Sequence, residues 1–367
     1  MARQRVSLVV IARNEAPRIA RLLRSVASWV DSMLVLDTGS ADDTAAVART
    51  CGARVEHFDW CDDFAAARNV ALDAAAADWH LVLDADEWLI DGGPALRALA
   101  CTPPRFVGRV HLEDRFYDGQ WRIAHSHISR VLPGRVRYRG RVHEQPNHGL
   151  PQRRLPVRVG HDGYGPGELA RKRGRNRALL HAELAARSDD PYLWYQLGKD
   201  HGVYEEHHAA SDCFARALQL ARVDEPWRFD LVARCLYSMK CCARHEAATA
   251  LAEAELERCA ESPDFFFAVG DLLLDRAAQD PRQGEALLPL IEAAWTRCLE
   301  IGERPELHGA VSGRGSHLAA HNLAVLYDTL GQSQRAADMR RLRFAPSVPP
   351  CHHDVEGARR SAVAHVG

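Results

Sequence analysis

The first part of the chain alternates between two hydrophobic periods. Arg5–Ala12 (RVSLVVIA) is a short β-branched apolar run with polar residues directly after it, which predicts a buried strand. From Pro17 (PRIARLLRSVASWV) the apolar positions recur at helical spacing, with proline in the first turn, where its missing N–H costs nothing. Met33–Thr38 (MLVLDT) predicts a second strand, and Ser40 to Thr44 offers capping residues for a helix over AAVART. Arg54–Phe58 predicts a short third strand, Asp63–Ala77 a helix and Trp79–Asp84 (WHLVLD) a fourth strand. Repeated strand–helix units of this length predict a mainly parallel sheet with helices on both faces. Between residues 91 and 165 Gly and Pro concentrate around short runs such as Arg105–Leu112 and Val136–Arg139. This stretch predicts antiparallel strands and loops that complete the first domain.

From about residue 168 to 343 the pattern is helical and repeats. Trp194, Leu197, Gly198, Ala210, Phe214 and Ala217 match the marks of a tetratricopeptide unit, and Ala320, Leu323, Ala324, Tyr327 and Ala336 fit a second in the same register. Two weaker units lie between. One runs through Cys235, Ala247, Leu251 and Ala254; the other runs through Phe266, Val269 and Gly270, with an insertion near Gln279–Gln283. The expected organisation is an α/β domain over 1–165, an all-α repeat domain over 166–345 and an aperiodic, mobile tail over 346–367. Cys351, His352 and His353 in that tail read as part of a mobile end rather than a metal site.

Composition narrows the function classes. A chain of 367 residues, 47% hydrophobic and 26% charged, accommodates two or three ordinary globular domains. A net charge of −2 argues against a dedicated nucleic-acid binder. All but three of the 47 basic residues are arginine, which with the abundant alanine suggests a bacterial gene of high GC content. No run approaches the length of a membrane helix. The apolar run ending at Ala12 is short and followed by Arg13, Asn14 and Glu15, so it reads as a strand rather than a signal peptide. Ten scattered cysteines without paired CxxC motifs are expected to be buried free thiols of a reducing, cytoplasmic compartment.

The strongest chemical signal is Asp84-Ala85-Asp86-Glu87 at the carboxyl end of an apolar strand, where ligands of open α/β sheets bind. Two carboxylates at i and i+2 in such a turn can converge on one hard cation, which commonly bridges to a diphosphate. The first strand ends in Ala12-Arg13-Asn14-Glu15, not in a GxGxxG loop, which counts against a dinucleotide-binding domain. Backbone groups there and the Glu15 carboxylate can still meet a nucleotide. Asp37, ending the second strand, is placed to accept hydrogen bonds from a base or ribose, whereas Asp42 or Asp43 suits the next helix N-terminus. Arg68 and Asn69 can reach a base edge or a phosphate; His125, His127 and Arg130 (HSHISR) can line an acceptor cleft.

Together VVIARNEA (9–16), VLDTGSADDT (35–44), AAARN (65–69) and LVLDADE (81–87) resemble the glycosyltransferase family 2 type of GT-A enzyme, closely over roughly residues 5–90. RGRVHEQP (139–146), GHDGY (160–164) and RKRGRNRALLHAEL (171–184), followed by the repeats, are similar in layout to the sublancin-type peptide S-glycosyltransferases. The resemblance implies a GT-A fold and a cytoplasmic enzyme that transfers a sugar from a nucleotide donor, a UDP-sugar, with inversion. It implies nucleotide contacts at Ala12, Arg13, Glu15, Asp37 and Arg68, with Asp84 near ribose and sugar and Asp86 binding Mn²⁺ or Mg²⁺. It further implies a base beyond the acidic motif, for which Glu144 is preferred over His143, and a histidine as additional metal ligand, for which His161 is the candidate. Tyr164 is a candidate for packing against substrate. The repeats suit a peptide or protein acceptor, a partner or a second copy of the chain; lipid and saccharide acceptors stay open. The competing reading is a repeat scaffold with a decayed catalytic domain, and the intact Glu15, Asp84, Asp86 and Glu144 argue against it. A nucleotidyltransferase would want a glycine-rich loop after the first strand, and the glycines are absent.

Overall fold

The computed structural model describes residues 3–117, 119–164 and 174–342; the predicted tail, with its Cys-His-His segment, and residues 171–173 lie outside this range. Strand β1 (Val6–Ala12) lies between β2 (Ser32–Asp37) and β4 (Trp79–Val82), with β3 (Arg54–His57) outside β2, and all four run parallel. The sheet continues through β7 (Trp121–Pro133), β6 (Val107–Tyr117), β10 (Gln152–Tyr164) and β5 (Glu87–Asp91), giving the order β3-β2-β1-β4-β7-β6-β10-β5. Strands β6 and β7 form the expected antiparallel extension.

Helices cover both faces. Ile19, Leu22, Leu23 and Val26 of α1 (Ala16–Val26) pack on one face with Val10, Leu81, Val110 and Val131. A short α2 (Thr44–Thr50) and α4 (Gly93–Ala98) border this side, the latter contributing Leu96. On the other face α3 (Phe64–Ala75) lays Ala67, Ala71, Leu72 and Ala75 against Val9, Leu34, Leu36 and Val82. Asp63 caps α3 by accepting from Ala66 N at 2.8 Å. Small residues along α3 let it sit close to the strands. Beyond it a two-stranded sheet of β8 (Arg137–Arg139) and β9 (Gln145–Asn147) holds the loop that carries His143 and Glu144.

His80 is 1% exposed in β4, and its Nε2 lies 3.3 Å from Ala77 N. Burial, aided by Arg137, pushes its pKa down to about 4. The unfolded ring protonates near its ordinary 6.5, so between pH 6.5 and 4 the unfolded chain binds more protons and stability falls as pH drops. The loss is roughly 1.4 kcal/mol per pH unit in that window. His80→Gln is expected to flatten the slope of unfolding free energy against pH by about one proton's worth, measured by denaturant melts from pH 7 to 4. Equal slopes for the two proteins would assign the pH dependence elsewhere.

The second half is an array of helices: α5 (Arg175–Ala186), then hairpins α6–α7 (Pro191–Val203, His207–Leu220), α8–α9 (Arg228–Cys241, His245–Glu255), α10–α11 (Pro263–Gln279, Gly284–Ile301) and α12–α13 (His317–Thr329, Ser333–Arg341). The units found in the sequence fall on these four hairpins, an arrangement consistent with tetratricopeptide repeats. A Cβ on Gly198 would lie 2.5 Å from the Phe214 ring, and one on Gly270 would lie 2.4 Å from Trp295, so both glycines permit close contact within a hairpin. The expected insertion is a short 3₁₀ turn, Pro281–Gln283. The second unit departs from its predicted register. Ala248 and Ala252 face inward, whereas Ala247 and Ala254 are exposed. The reason is length: α8 has 14 residues where α6 has 13, which moves its partner's inward face by one position.

Two short strands were not legible beforehand. β5 follows the acidic turn at once and pairs with β10 at the far end of the sheet. β11 (Ala310–Val311), lying between α11 and α12, pairs with β7 at His125 and Ala124 and so fastens the helical half to the sheet. Among the described residues nine cysteines are free; Cys213, Cys235, Cys259 and Cys298 are buried as expected, but Cys61, Cys101 and Cys241 are exposed. No helix among the described residues is long and apolar enough to cross a membrane.

Candidate active site

The predicted nucleotide residues sit at the carboxyl ends of β1 and β2. Ala12, the last residue of β1, pairs with Asp37, the last of β2. Asp37 is buried, and its Oδ1 accepts from Gly39 N at 2.8 Å and Ser40 N at 2.7 Å, so one oxygen shapes the turn after β2. The turn after β1 interlocks with it. Asn14, at φ 57°, donates its N–H to Ser40 Oγ, and Glu15 N donates to Thr44 Oγ1. Asp42 Oδ1 accepts from Thr44 N, the helix-terminus role expected of it or Asp43. The Glu15 carboxylate is bound by Arg18 at 2.7 Å, and Arg13 is exposed. None of Ala12, Arg13, Glu15 and Asp37 is among the residues that line the floor and walls of the cavity described next.

That floor is an ion-pair network beneath the acidic turn. Strand β4 ends at Val82, and the chain reverses through Asp84–Glu87, with Glu87 N donating to Asp84 O and Asp84 N donating to Glu87 Oε2. Arg68 reaches up from α3. Its Nη2 binds Asp84 Oδ1 at 2.5 Å and its Nε binds Glu144 Oε1. Arg130 of β7 binds Asp84 Oδ2 at 2.6 Å and also Glu87 Oε1. Burial alone would raise the Asp84 pKa, but Arg130 and Arg68 outweigh it and hold the carboxyl far below its usual range. Glu87 sits deeper, and burial pushes it up to about 7 against the pull of Arg130. Arg68 Nη1, Arg130 Nε and Tyr138 OH are buried here without a hydrogen-bond partner among the described residues. Two such cationic donors and a phenol suit oxygen-rich, anionic groups.

Asp86 points the other way, toward β10. His161 Nε2 lies 3.4 Å from Asp86 Oδ2, and His161 Nδ1 lies 2.6 Å from Asp114 Oδ1 of β6. Burial would lower the His161 pKa, but Asp86 and Asp114 together hold it well above its usual value. The donor set fits a divalent cation. Ligand atoms about 2.1 Å from a common ion stand roughly 3–3.4 Å apart, and a histidine whose second nitrogen is held by a carboxylate is oriented as metal-binding histidines are.

These groups line a cavity of about 460 Å³. His143 and Glu144 also line it, with His143 in the left-handed region at φ 50°. Burial, with Lys199, pushes the His143 pKa down to about 4, so the ring is neutral at pH 7. The helical half supplies a second wall through Arg175, Tyr192, Trp227 and His308. Gln145 Nε2 ties the two by donating to His143 O and Tyr192 OH, each at 3.1 Å. His127, the open edge of β7 at Ile128 and Ser129, and Arg109 complete the lining. The structure thus brings together Arg68, Asp84, Asp86, His143, Glu144 and His161 in one cavity, and leaves Ala12, Arg13, Glu15 and Asp37 outside its lining. Of the HSHISR segment, His127 and Arg130 line the cavity, Arg130 while paired with Asp84, whereas His125 turns toward Ser312. Sequence reasoning missed Arg130 as a counter-ion, Glu87 as a buried acid and Asp114 as the partner of His161. The only available signal was the need of clustered carboxylates for a cation.

Residues 7–139 match the family model described as glycosyl transferase family 2. The chain is 36% identical over 249 residues to a TPR repeat-containing protein of Synechococcus elongatus, covering 63% of this chain and 60% of the relative. It is 27% identical over 219 residues to the SPbeta prophage-derived glycosyltransferase SunS of Bacillus subtilis, covering 57% of this chain and 52% of the relative. The chain therefore spans little more than half the length of these curated relatives. A glucosyl-3-phosphoglycerate synthase from Mycobacterium tuberculosis, solved with Mn²⁺, UDP and glucosyl-3-phosphoglycerate, is 26% identical over 32% of this chain and 45% of that one, with a TM-score of 0.25. Residues 7–139 thus match glycosyl transferase family 2, and in this chain they are followed by a tetratricopeptide-like helical array.

Proposed function

We propose that the chain is a metal-dependent, inverting glycosyltransferase that moves a sugar from a UDP-sugar to a peptide or protein acceptor. The observation that carries the reading is that Asp86 paired with His161, and Glu144 paired with Arg68, line one cavity at the end of the strand that precedes the acidic turn. Residues 1–165 supply the transfer site and 166–345 the acceptor wall. Asp86 and His161 would hold Mn²⁺ or Mg²⁺, with Asp84 beside them. When bound, such a cation neutralises charge developing on the leaving diphosphate.

The chain's own residues do the rest. Arg68 fixes Asp84 and Glu144, and with Arg130 it keeps Asp84 ionised. Ala12, Arg13, Glu15 and Asp37, at and just beyond the carboxyl ends of β1 and β2, receive the nucleotide. Glu144, with one oxygen held by Arg68 Nε, offers the other to the acceptor hydroxyl or thiol. It takes the acceptor proton as the new bond forms at the anomeric carbon and the bond to the diphosphate breaks. His143 serves to position that loop. The aromatic and imidazole wall from the helical half excludes water and suits an extended polypeptide.

The test is calorimetric titration of the purified protein with UDP, GDP and TDP, with and without Mn²⁺. Binding of UDP in preference to the others, and only with the metal, is expected. Folded protein that binds none of the three would return the chain to the scaffold reading.

A further inference from the structure

We propose that His111, Glu113 and His125 form a second metal site, for zinc or another imidazole-preferring divalent cation, at the junction of the sheet and the helical half. One potential ligand atom from each residue lies within 4.8 Å of the others. The strand geometry makes this convergence specific. His111 and Glu113 are two apart on β6 and share a face, and His125 lies directly opposite Glu113 on β7. His111 Nε2 and His125 Nδ1 are 2.9 Å apart.

The outer atoms of the cluster are already engaged, as orienting partners of metal ligands are. His125 Nε2 lies 2.7 Å from Ser312 Oγ, which leaves Nδ1 facing His111. Arg158 donates twice to Glu113 Oε1, at 2.9 and 2.7 Å, leaving the second carboxylate oxygen for another partner. Glu113 is 3% exposed. Two imidazoles and one carboxylate prefer zinc, copper or nickel over magnesium and leave a fourth position for water.

The site is separate from the catalytic one, since none of its three residues lines the cavity. It is nevertheless coupled to it by the strand. Glu113 is followed by Asp114, which points to the opposite face and holds His161. A cation there would tie β6 and β7 to Ser312, beside the β11 pairing that docks the helical half.

The experiment uses full-length protein carrying Asp86→Ala, so that the proposed catalytic metal does not contribute. After zinc loading and dialysis, elemental analysis is expected to find about one zinc per chain, lost in the Asp86→Ala/His125→Ala and Asp86→Ala/Glu113→Gln proteins. Cobalt(II) titrated into the Asp86→Ala protein is expected to give intense visible bands of tetrahedral, nitrogen-rich coordination, a readout that needs no further variant. Absence of both zinc and the cobalt bands would reduce the cluster to a hydrogen-bonded histidine pair and overturn the proposal. Zinc retained by both double variants would overturn it equally.

Discussion

Asp86→Ala lowers metal-supported sugar transfer by about three orders of magnitude or more, on the reading above. The size follows from electrostatics. A Lewis-acid cation contributes several kcal/mol to a transition state that gathers charge on the leaving diphosphate, and each 1.4 kcal/mol is about tenfold in rate. Removing Asp86 takes away the carboxylate 3.4 Å from His161 Nε2, while Asp114 still lies 2.6 Å from Nδ1. The fold is expected to survive, because Asp84, Glu87, Arg68 and Arg130 hold the turn together from beneath. The measurement is kcat/KM across a manganese titration, with a thermal melt as the control for folding. A folded variant with activity within about threefold of the parent would remove Asp86 from the metal site.

Glu144→Gln has the second largest expected effect, a loss of about 10²–10⁴ in kcat with UDP affinity retained. Glutamine keeps the shape and an oxygen for Arg68 Nε but cannot take the acceptor proton. Single-turnover kinetics and calorimetry separate the two quantities. The ion pair with Arg68 makes the alternative outcome informative. If UDP affinity falls in step with kcat, Glu144 acts by holding Arg68 under the donor, and the search for the base moves to His143. A variant that turns over at the parent rate removes Glu144 from both roles.

Much of the first domain was legible because a strand buried on both faces is a continuous apolar run, and its end is marked where polar residues begin. Val6–Ala12 and Ser32–Asp37 lie within two residues of their predicted bounds for that reason. The acidic turn was legible as chemistry because it interrupts such a run. Its counter-ions were not. Arg68 and Glu144 are 76 positions apart, and Arg130 and Glu87 are 43 apart, and only the crossing of β7 beside β4 brings Arg130 under the turn. Nothing local distinguishes Arg130 from the other arginines of this arginine-rich chain. The strand β5 failed for a related reason: five residues with buried and exposed positions in no clean alternation earn their place by pairing with β10. In the repeats, the marks of the first unit were sufficient because Gly198 and Phe214 must touch. The second unit lacks such a pair, and one extra residue in α8 was enough to move its register.

The shared wall of the cavity has a thermal consequence. Repeat arrays hold together through neighbour-to-neighbour contacts and can open unit by unit, whereas the sheet is stabilised by contacts distant in sequence. Tyr192 and Trp227 reach the cavity from the first two hairpins, and the β11 pairing ties the later part of the array to β7. Fraying that begins in the hairpins would remove one wall of the cavity while the strands and the acidic turn stay in place. On the proposed function, warming would then uncouple acceptor capture from donor retention before the sheet melts.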